Sequence, residues 1–359
     1  MSRLNVLPAD DYPKATDNIP GMHAIIAGLL EKGIAYRTAR GVFFSVGTFP
    51  AYGELSRRDL EEMRAGARVK IDEEKKSPLD FALWKASAPD EPAWESSWGA
   101  GRPGWHIECS AMSMSRLGPS FDIPGGGQDL IFPHHENEKA QSEAYTGKPF
   151  VRYWLHNGFI TINQEKMSKS LGNVANLREL FNACEPRAVR YFLLGTHYRS
   201  PIDFSPEGLE GAKTALNRLD NCRGIAEAKW GVIAREEADP NALGAFTEAM
   251  DDDFNTAGAV GLAHSLANDF FQAPDGPGAR AKVAAMIAIC EVLGLEIKNR
   301  ERKIEAVQLS EHLERIEELL IRDKIGDQEI DALIRARQAL RRKKQWELAD
   351  RIRKKFERM

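Results

Sequence analysis

The spacing of apolar residues changes character near residue 200. Before it, apolar stretches are short and of mixed period; after it, one period of three to four dominates. Ile19, Met22, Ile25, Ile26, Leu29, Leu30 and Ile34 predict a helix over residues 18–36, with a stop at Gly33. Val42-Phe43-Phe44-Ser45-Val46 predicts a short strand, and Ser56 a helix N-cap before a charged helix. Residues 72–105 carry four prolines and four tryptophans and predict irregular chain pinned by aromatic anchors. From Glu108 helices and short strands alternate as in an α/β sheet, with strands expected at Phe150–His156 and Phe159–Ile162. Helical periodicity then runs from Leu209 to Leu293, broken at Gln272–Gly278, and two further helices are expected over 310–325 and 327–357.

Composition narrows this picture little, because 43% apolar and 28% charged residues are ordinary for a soluble chain of 359. Charge is more informative. The net of −4 combines an acidic body with a tail, Arg335–Met359, that holds eleven Lys or Arg against three Asp or Glu. Such a tail reads either as a solvated helix face or as a nucleic-acid contact. Four cysteines (109, 184, 222 and 290), widely spaced, argue against a disulfide framework and for a reducing cytoplasm. No apolar run is long enough for a membrane span, and no signal peptide opens the chain.

The candidate chemistry concentrates between Gly104 and Asn173, which contains four of the eight histidines. His134 and Glu138, four apart after Pro133, share a helical face and could grip one ion, with Cys109 offering a thiolate. They read equally as a helix start with solvated side chains beside a buried small hydrophobe. Lys166-Met167-Ser168-Lys169-Ser170 is a cationic loop suited to phosphates and to charge growing in a nucleotidyl transition state; a bare charged loop is the bland alternative. Gly125-Gly126-Gly127 allows close approach to the backbone, as beside a nucleotide, or is a flexible turn. Asp129 beyond it could contact a ribose or an amine.

Taken together, Gly101–Met112, Phe132–Glu138, Tyr153–His156 and Lys166–Asn173 resemble the cysteinyl-tRNA synthetases, class I aminoacyl-tRNA synthetases. The likeness extends upstream through Tyr52–Ser56 and Asp80–Lys85, and downstream through Arg190–Phe192, His197–Ser200 and Met250–Thr256. The resemblance implies a partial doubly wound, Rossmann-like catalytic domain over 1–200, with an insertion at about 18–105 and the zinc and lysine-loop region at 106–175. A helical bundle over 201–300 and a basic helical anticodon-binding module over 301–359 would follow. It places Cys109, His134 and Glu138 on zinc-ligand positions and Lys169 on the ATP-contacting lysine, with Lys166 beside it. Gly126 and Asp129 would face the nucleotide, and His106, His135, His156 and Trp105 the substrate pocket. Arg341, Arg342, Lys343, Lys344 and Trp346 would meet tRNA-Cys. Cysteine and ATP, the latter with magnesium, would be the small substrates, and zinc would select the thiol.

Three departures shape the expectation. No two histidines stand three apart, so the His-Ile-Gly-His signature is not found, and Cys109 is the only cysteine before residue 180. Pro124 stands where the family carries a histidine. The first half of the nucleotide fold is therefore expected to be absent from this chain, which alone should form little adenylate unless a separate N-terminal segment acts in trans. A non-catalytic tRNA-binding paralogue is the alternative. A cysteine ligase of mycothiol biosynthesis fits less well, because it lacks the anticodon module.

Overall fold

The computed structural model describes residues 1–59, 74–162, 165–166, 176–299 and 346–358, together with residues 316, 319, 320, 333 and 337. Two compact units divide it: Met1–Lys213 with Thr247–Val260, and Thr214–Phe246 with Gly261–Met359.

In the first unit, helix α1 (Ile19–Glu31) forms as its spacing demands: Met22, Ile25, Ile26 and Leu29 make one buried stripe. The helix ends before Gly33, whose φ of +70° turns the chain without a Cβ clash. The stripe packs on an antiparallel sheet, β1 (Ala35–Thr38), β2 (Gly41–Phe44), β3 (Phe81–Ala86) and β4 (Gly101–Pro103), through Val42, Phe44, Phe81, Leu83 and Trp84. The same core takes Ile107 and Ala111 from α2 (Trp105–Leu117) and Ala140 from α3 (Glu136–Thr146). The aliphatic face of α1 thus holds the two helices that carry the polar cluster described below.

Parallel pairing, the mark of the α/β expectation, joins β5 (Gly125–Gly127) to β6 (Leu155–Asn157). It also joins β7 (Ile160–Ile162) to β9 (Ile202–Phe204), while β8 (Glu165–Lys166) pairs antiparallel with β7. Helices α4 (Leu177–Ala183) and α5 (Pro186–Leu194) lie between β8 and β9 in sequence, and Val189 packs with Leu4 and Leu209. The helical run after residue 200 resolves into α6 (Pro206–Trp230), α7 (Pro240–Asp251), α8 (Thr256–Gln272) and α9 (Ala279–Val292). In the second unit Val283–Cys290 of α9 is buried throughout. The basic α10 (Trp346–Arg358) buries Ile352 against Ile316, Leu319 and Leu333. No helix among the described residues is long and apolar enough to cross a membrane.

Several local expectations need correction. Ser56 opens no helix at its own position: residues 51–57 are turns, and Arg57 takes a left-handed φ of 53° that stops a helix from starting there. The charged helix expected after it lies largely in 60–73, outside the described residues. The proline- and tryptophan-rich tract is not wholly irregular, because Phe81–Ala86 and Gly101–Pro103 complete the sheet over the aromatic core. The strand expected at Phe150–His156 shrinks to Leu155–Asn157, and β9 was hidden by its shortness. Periodicity also ran through two real breaks, 231–239 and 252–255. Apart from 316, 319, 320, 333, 337 and α10, the last helical region lies outside the described residues.

Candidate metal and substrate site

Residues His134 to Glu138 are consecutive polar residues, and all five are buried. That is costly unless each polar group finds a partner. Glu136 finds two backbone donors, Gly53 N–H at 2.9 Å and Ser56 N–H at 2.8 Å. Asn137 Oδ1 accepts from Tyr52 Oη at 2.5 Å. One turn on, Gln141 Nε2 donates to the His106 carbonyl and to Ser110 Oγ, each at 2.6 Å, and Ser142 Oγ donates to Ser110 Oγ at 2.7 Å. These bonds lock α3 against α2.

Glu138 differs. Among the described residues its carboxylate meets only His134, with Oε2 3.9 Å from Nε2. Burial pushes its carboxyl up to about 8. His134 Nδ1 shares a 2.9 Å hydrogen bond with His106 Nδ1, which leaves His134 Nε2 turned toward Glu138. His135 Nδ1 likewise shares 2.8 Å with His156 Nε2. Burial, then the neighbouring imidazoles, lowers His106 to about 3 and His135 to about 4; burial also lowers His134 and His156. Neutral imidazoles are the form that binds metal.

Donor atoms of His134, His135 and Glu138 all lie within 4.8 Å of one another. The structure thus brings the expected His134 and Glu138 together, with His135 as third member rather than Cys109. Cys109, on α2, stands outside that set. Burial, then the Glu138 and Glu108 carboxylates, pushes its thiol up to about 12. His134, His135 and Glu138 could therefore hold a metal ion among neutral imidazoles.

The rest of the pocket follows from the β5–β6 pair. Gly126 lies opposite His156 in register, and a Cβ on Gly126 would come within 2.7 Å of His135 Cε1. The glycine triplet is therefore a strand whose middle residue must lack a side chain to admit the imidazole, not a flexible turn. Trp105 is 57% exposed, with its ring 4.2 Å from that of His134, at the rim. Asp129, also exposed, follows β5. Lys166 closes β8, while Lys169 and the remainder of the lysine loop lie outside the described residues, as do Arg341, Arg342, Lys343 and Lys344. Trp346 opens α10 and is 54% exposed. The pattern reading missed the supporting roles of Tyr52, Ser110, Glu136 and Gln141. An unbroken polar run at the head of a helix that must pack was the available signal.

Residues 1–214 match the family model of the class I (C) tRNA synthetase catalytic domain, and residues 245–298 match the DALR domain. The chain is 48% identical over 356 residues to a cysteine–tRNA ligase of Pseudomonas paraeruginosa, covering 98% of this chain and 73% of that protein. It is 58% identical over 269 residues to the cysteine–tRNA ligase of Carboxydothermus hydrogenoformans, covering 74% of this chain and 58% of the relative. Among solved structures it is similar to a Mycobacterium tuberculosis methionyl-tRNA synthetase in complex with methionyl-adenylate, with TM-score 0.51 and 16% identity over 82% of this chain and 74% of that one. A putative arginyl-tRNA synthetase of Campylobacter jejuni gives TM-score 0.54 and 12% identity over 83% of this chain and 66% of that one. These two likenesses establish the fold: a Rossmann-like α/β catalytic domain with a helical region after it.

Proposed function

The chain belongs to the cysteine–tRNA ligases of the class I aminoacyl-tRNA synthetases, and on that footing we propose that it serves the ATP-dependent attachment of cysteine to tRNA-Cys through cysteinyl-adenylate. The observation that carries the reading is the buried Glu138 carboxyl, whose one ion-pair contact among the described residues is His134 Nε2 at 3.9 Å, beside neutral imidazoles. Cys109, His134 and Glu138 would hold zinc, and His135 adds a donor within reach. Zinc bound there would supply an open position that takes a thiolate far better than a hydroxyl.

The chain's own residues do the rest. His106 fixes the His134 ring so that Nε2 faces inward. His156 does the same for His135, and Gly126 leaves that ring its space. Trp105 at the rim shields the substrate from water. In the chemical step cysteine's carboxylate attacks the α-phosphate of ATP and pyrophosphate leaves; a terminal ribose hydroxyl of the tRNA later takes the acyl group, and AMP leaves. Lys166 and Lys169 would neutralise the charge that grows on the phosphates, magnesium accompanying the ATP. Gly126 and Asp129 would border the nucleotide. Arg341, Arg342, Lys343, Lys344 and Trp346 would hold tRNA-Cys, and the reaction would run in the cytoplasm.

Equilibrium binding of labelled cysteine and of tRNA-Cys to the zinc-loaded chain tests this. Cysteine should be retained and serine not, Glu138→Gln should abolish the retention, and tRNA-Cys should outcompete other tRNAs. Any cysteine-dependent ATP–pyrophosphate exchange should vanish in Lys169→Ala. Retention of tRNA-Cys with no binding of cysteine would favour the non-catalytic tRNA-binding paralogue instead.

A further inference from the structure

Two motifs remain without a role, His197-Tyr198-Arg199-Ser200 and Met250-Asp251-Asp252-Asp253-Phe254-Asn255, and the structure joins them. Both belong to the first unit. Asp253 Oδ1 accepts from Tyr198 Oη at 2.7 Å and from Arg199 Nη2 at 2.9 Å, while Arg199 Nε donates to Oδ2. His197 Nε2 donates to the Asp253 carbonyl at 3.1 Å. One residue therefore holds three consecutive side chains. Its carboxyl, held down to about 2 by those hydrogen bonds from Arg199 and Tyr198, stays charged at any physiological pH.

An exposed ion pair alone contributes little. Here it is bidentate, shared with a phenol, and set on an unusual backbone. Asp253 and Phe254 both take left-handed φ, 55° and 54°, which for a bulky residue such as Phe is a real outlier. Such a conformation persists where the surroundings over-determine it. A further tie, Thr256 Oγ1 to the Leu194 carbonyl at 2.9 Å, fixes the turn to the end of α5.

The held segment leads directly to the strands before the lysine loop. The Tyr198 carbonyl accepts from Gly158 N–H at 2.7 Å, and a Cβ on Gly158 would lie 2.4 Å from the Ser200 carbonyl oxygen. Ile202 N–H donates to the Phe159 carbonyl at 2.9 Å, and β9 then pairs with β7 as Ile160↔Ile202, Thr161↔Asp203 and Ile162↔Phe204. Thr161 Oγ1 donates to Asp203 Oδ1 at 2.8 Å, and β7 pairs onward with Glu165 and Lys166. On the other side the Arg199 carbonyl accepts from Gln128 Nε2 at 3.1 Å, next to the glycine strand. Residues 197–200 thus touch the Asp253 turn, Gln128 beyond β5 and Gly158 before β7, and lead into β9.

We propose that Asp253 is a positioning residue: by clamping Tyr198 and Arg199 it sets the register of β9 against β7, and so places the strand from which Lys166 departs. This rests on the reading of Lys166–Asn173 as the ATP-facing loop only for its catalytic consequence; the mechanical coupling stands independently.

Amide hydrogen exchange on the full chain tests the coupling without need of activity. Asp253→Ala should speed exchange across 158–166 and 197–204 by about 10-fold or more, while β1–β3 and α9 keep wild-type protection. Asp253→Asn, which keeps an acceptor for Tyr198, should fall between. Unchanged protection at 158–166 would overturn the proposal, as would equal acceleration everywhere, the signature of a merely structural role. Exchange kinetics with ATP and pyrophosphate provide the second arm: kcat should fall about 10-fold with KM for cysteine within about twofold. A raised KM for cysteine with kcat unchanged would contradict the positioning role. If the wild type bound neither cysteine nor tRNA-Cys while the amide coupling held, the functional reading would fail and the positioning would stand.

Discussion

Two carboxylates on the first turn of α3, Glu136 and Glu138, are both buried, yet their surroundings treat them oppositely. The side of the helix facing Tyr52–Ser56 offers Glu136 two backbone N–H groups at ordinary hydrogen-bond length. The side facing the imidazoles offers Glu138 one nitrogen at 3.9 Å. One region has spent its polar groups on fixing the fold. The other keeps a carboxyl pushed up to about 8 by burial, a state that folding alone gives no reason to build. Residue type and sequence position barely differ between the two; the donors supplied by distant chain decide which carboxylate is structural and which is available for a ligand.

The largest effect should come from breaking the structural side. Glu136→Ala leaves the buried Gly53 N–H and the half-buried Ser56 N–H without an acceptor, and hydrogen bonds to a charged group contribute about 1.5–3 kcal/mol each. A loss of about 3 kcal/mol or more in urea unfolding of the zinc-free chain is expected. Glu138→Gln, which mimics the protonated carboxyl, should cost under about 1 kcal/mol near pH 7. Equal losses would erase the contrast.

The functional side should respond in metal affinity instead. His134→Ala and Glu138→Gln should each weaken zinc by at least about 100-fold, and His106→Ala, which removes only the partner that orients His134, by about 10- to 100-fold. Competition with a chromophoric chelator measures this. Tight zinc that survives Glu138→Gln would move the site elsewhere.

A smaller effect is the pH dependence of stability without metal. Glu138 is raised in the folded state, from 4.5 to about 8, so the native chain keeps a proton that the unfolded chain releases. Its contribution is present below about 4.5 and is lost as pH rises toward 8. His106 and His135 are lowered, to about 3 and 4, so their contribution is full above 6.5 and is lost as pH falls below it. Between 6.5 and 8, Glu138 alone of these groups sets the slope, and thermal melts of chelated protein should show stability falling there. Glu138→Gln should flatten that fall; an unchanged slope would assign it to another group.

The smallest effect concerns the second unit. Trp346→Ala should weaken tRNA-Cys binding by about 1–3 kcal/mol if a base stacks on the exposed ring, and should leave zinc affinity unchanged. Replacing Arg341, Arg342, Lys343 and Lys344 by Ala should lower the salt dependence of binding. A change in zinc affinity in either variant would contradict an effect confined to tRNA binding.

Much of this was legible in the order of residues because local spacing causes it. The apolar stripe of α1 and the β2 core strand follow from helical or strand period, and the four-residue spacing of His134 and Glu138 pointed to their meeting. What was not legible depends on distant chain. Nothing near Ser56 announces that its N–H serves Glu136, eighty residues on. Strands of three residues, such as β4 and β9, carry too little pattern to be seen, and exist because a neighbour pairs with them. The break at Asp252–Asn255 hides within helical periodicity, since its left-handed residues are Asp and Phe rather than glycine. His135 was placed in the pocket but not among the donors, because adjacent residues on a regular helix point apart. Here the chain through 131–135 is wound differently from α3, and both rings reach the same side.

The account turns on whether the Glu138 side of α3 holds a cation that takes a thiol. Cobalt(II) substituted for zinc reports this directly, since thiolate ligation gives an intense charge-transfer absorption. The chain, loaded with one cobalt and freed of excess by gel filtration, would be titrated with cysteine and, separately, with serine. A thiol-accepting centre predicts that the thiolate absorption, part of it given by Cys109, grows with cysteine, does not change with serine, and fails to grow in Glu138→Gln. The same response to both amino acids, or a cysteine band of full strength in Glu138→Gln, would contradict it.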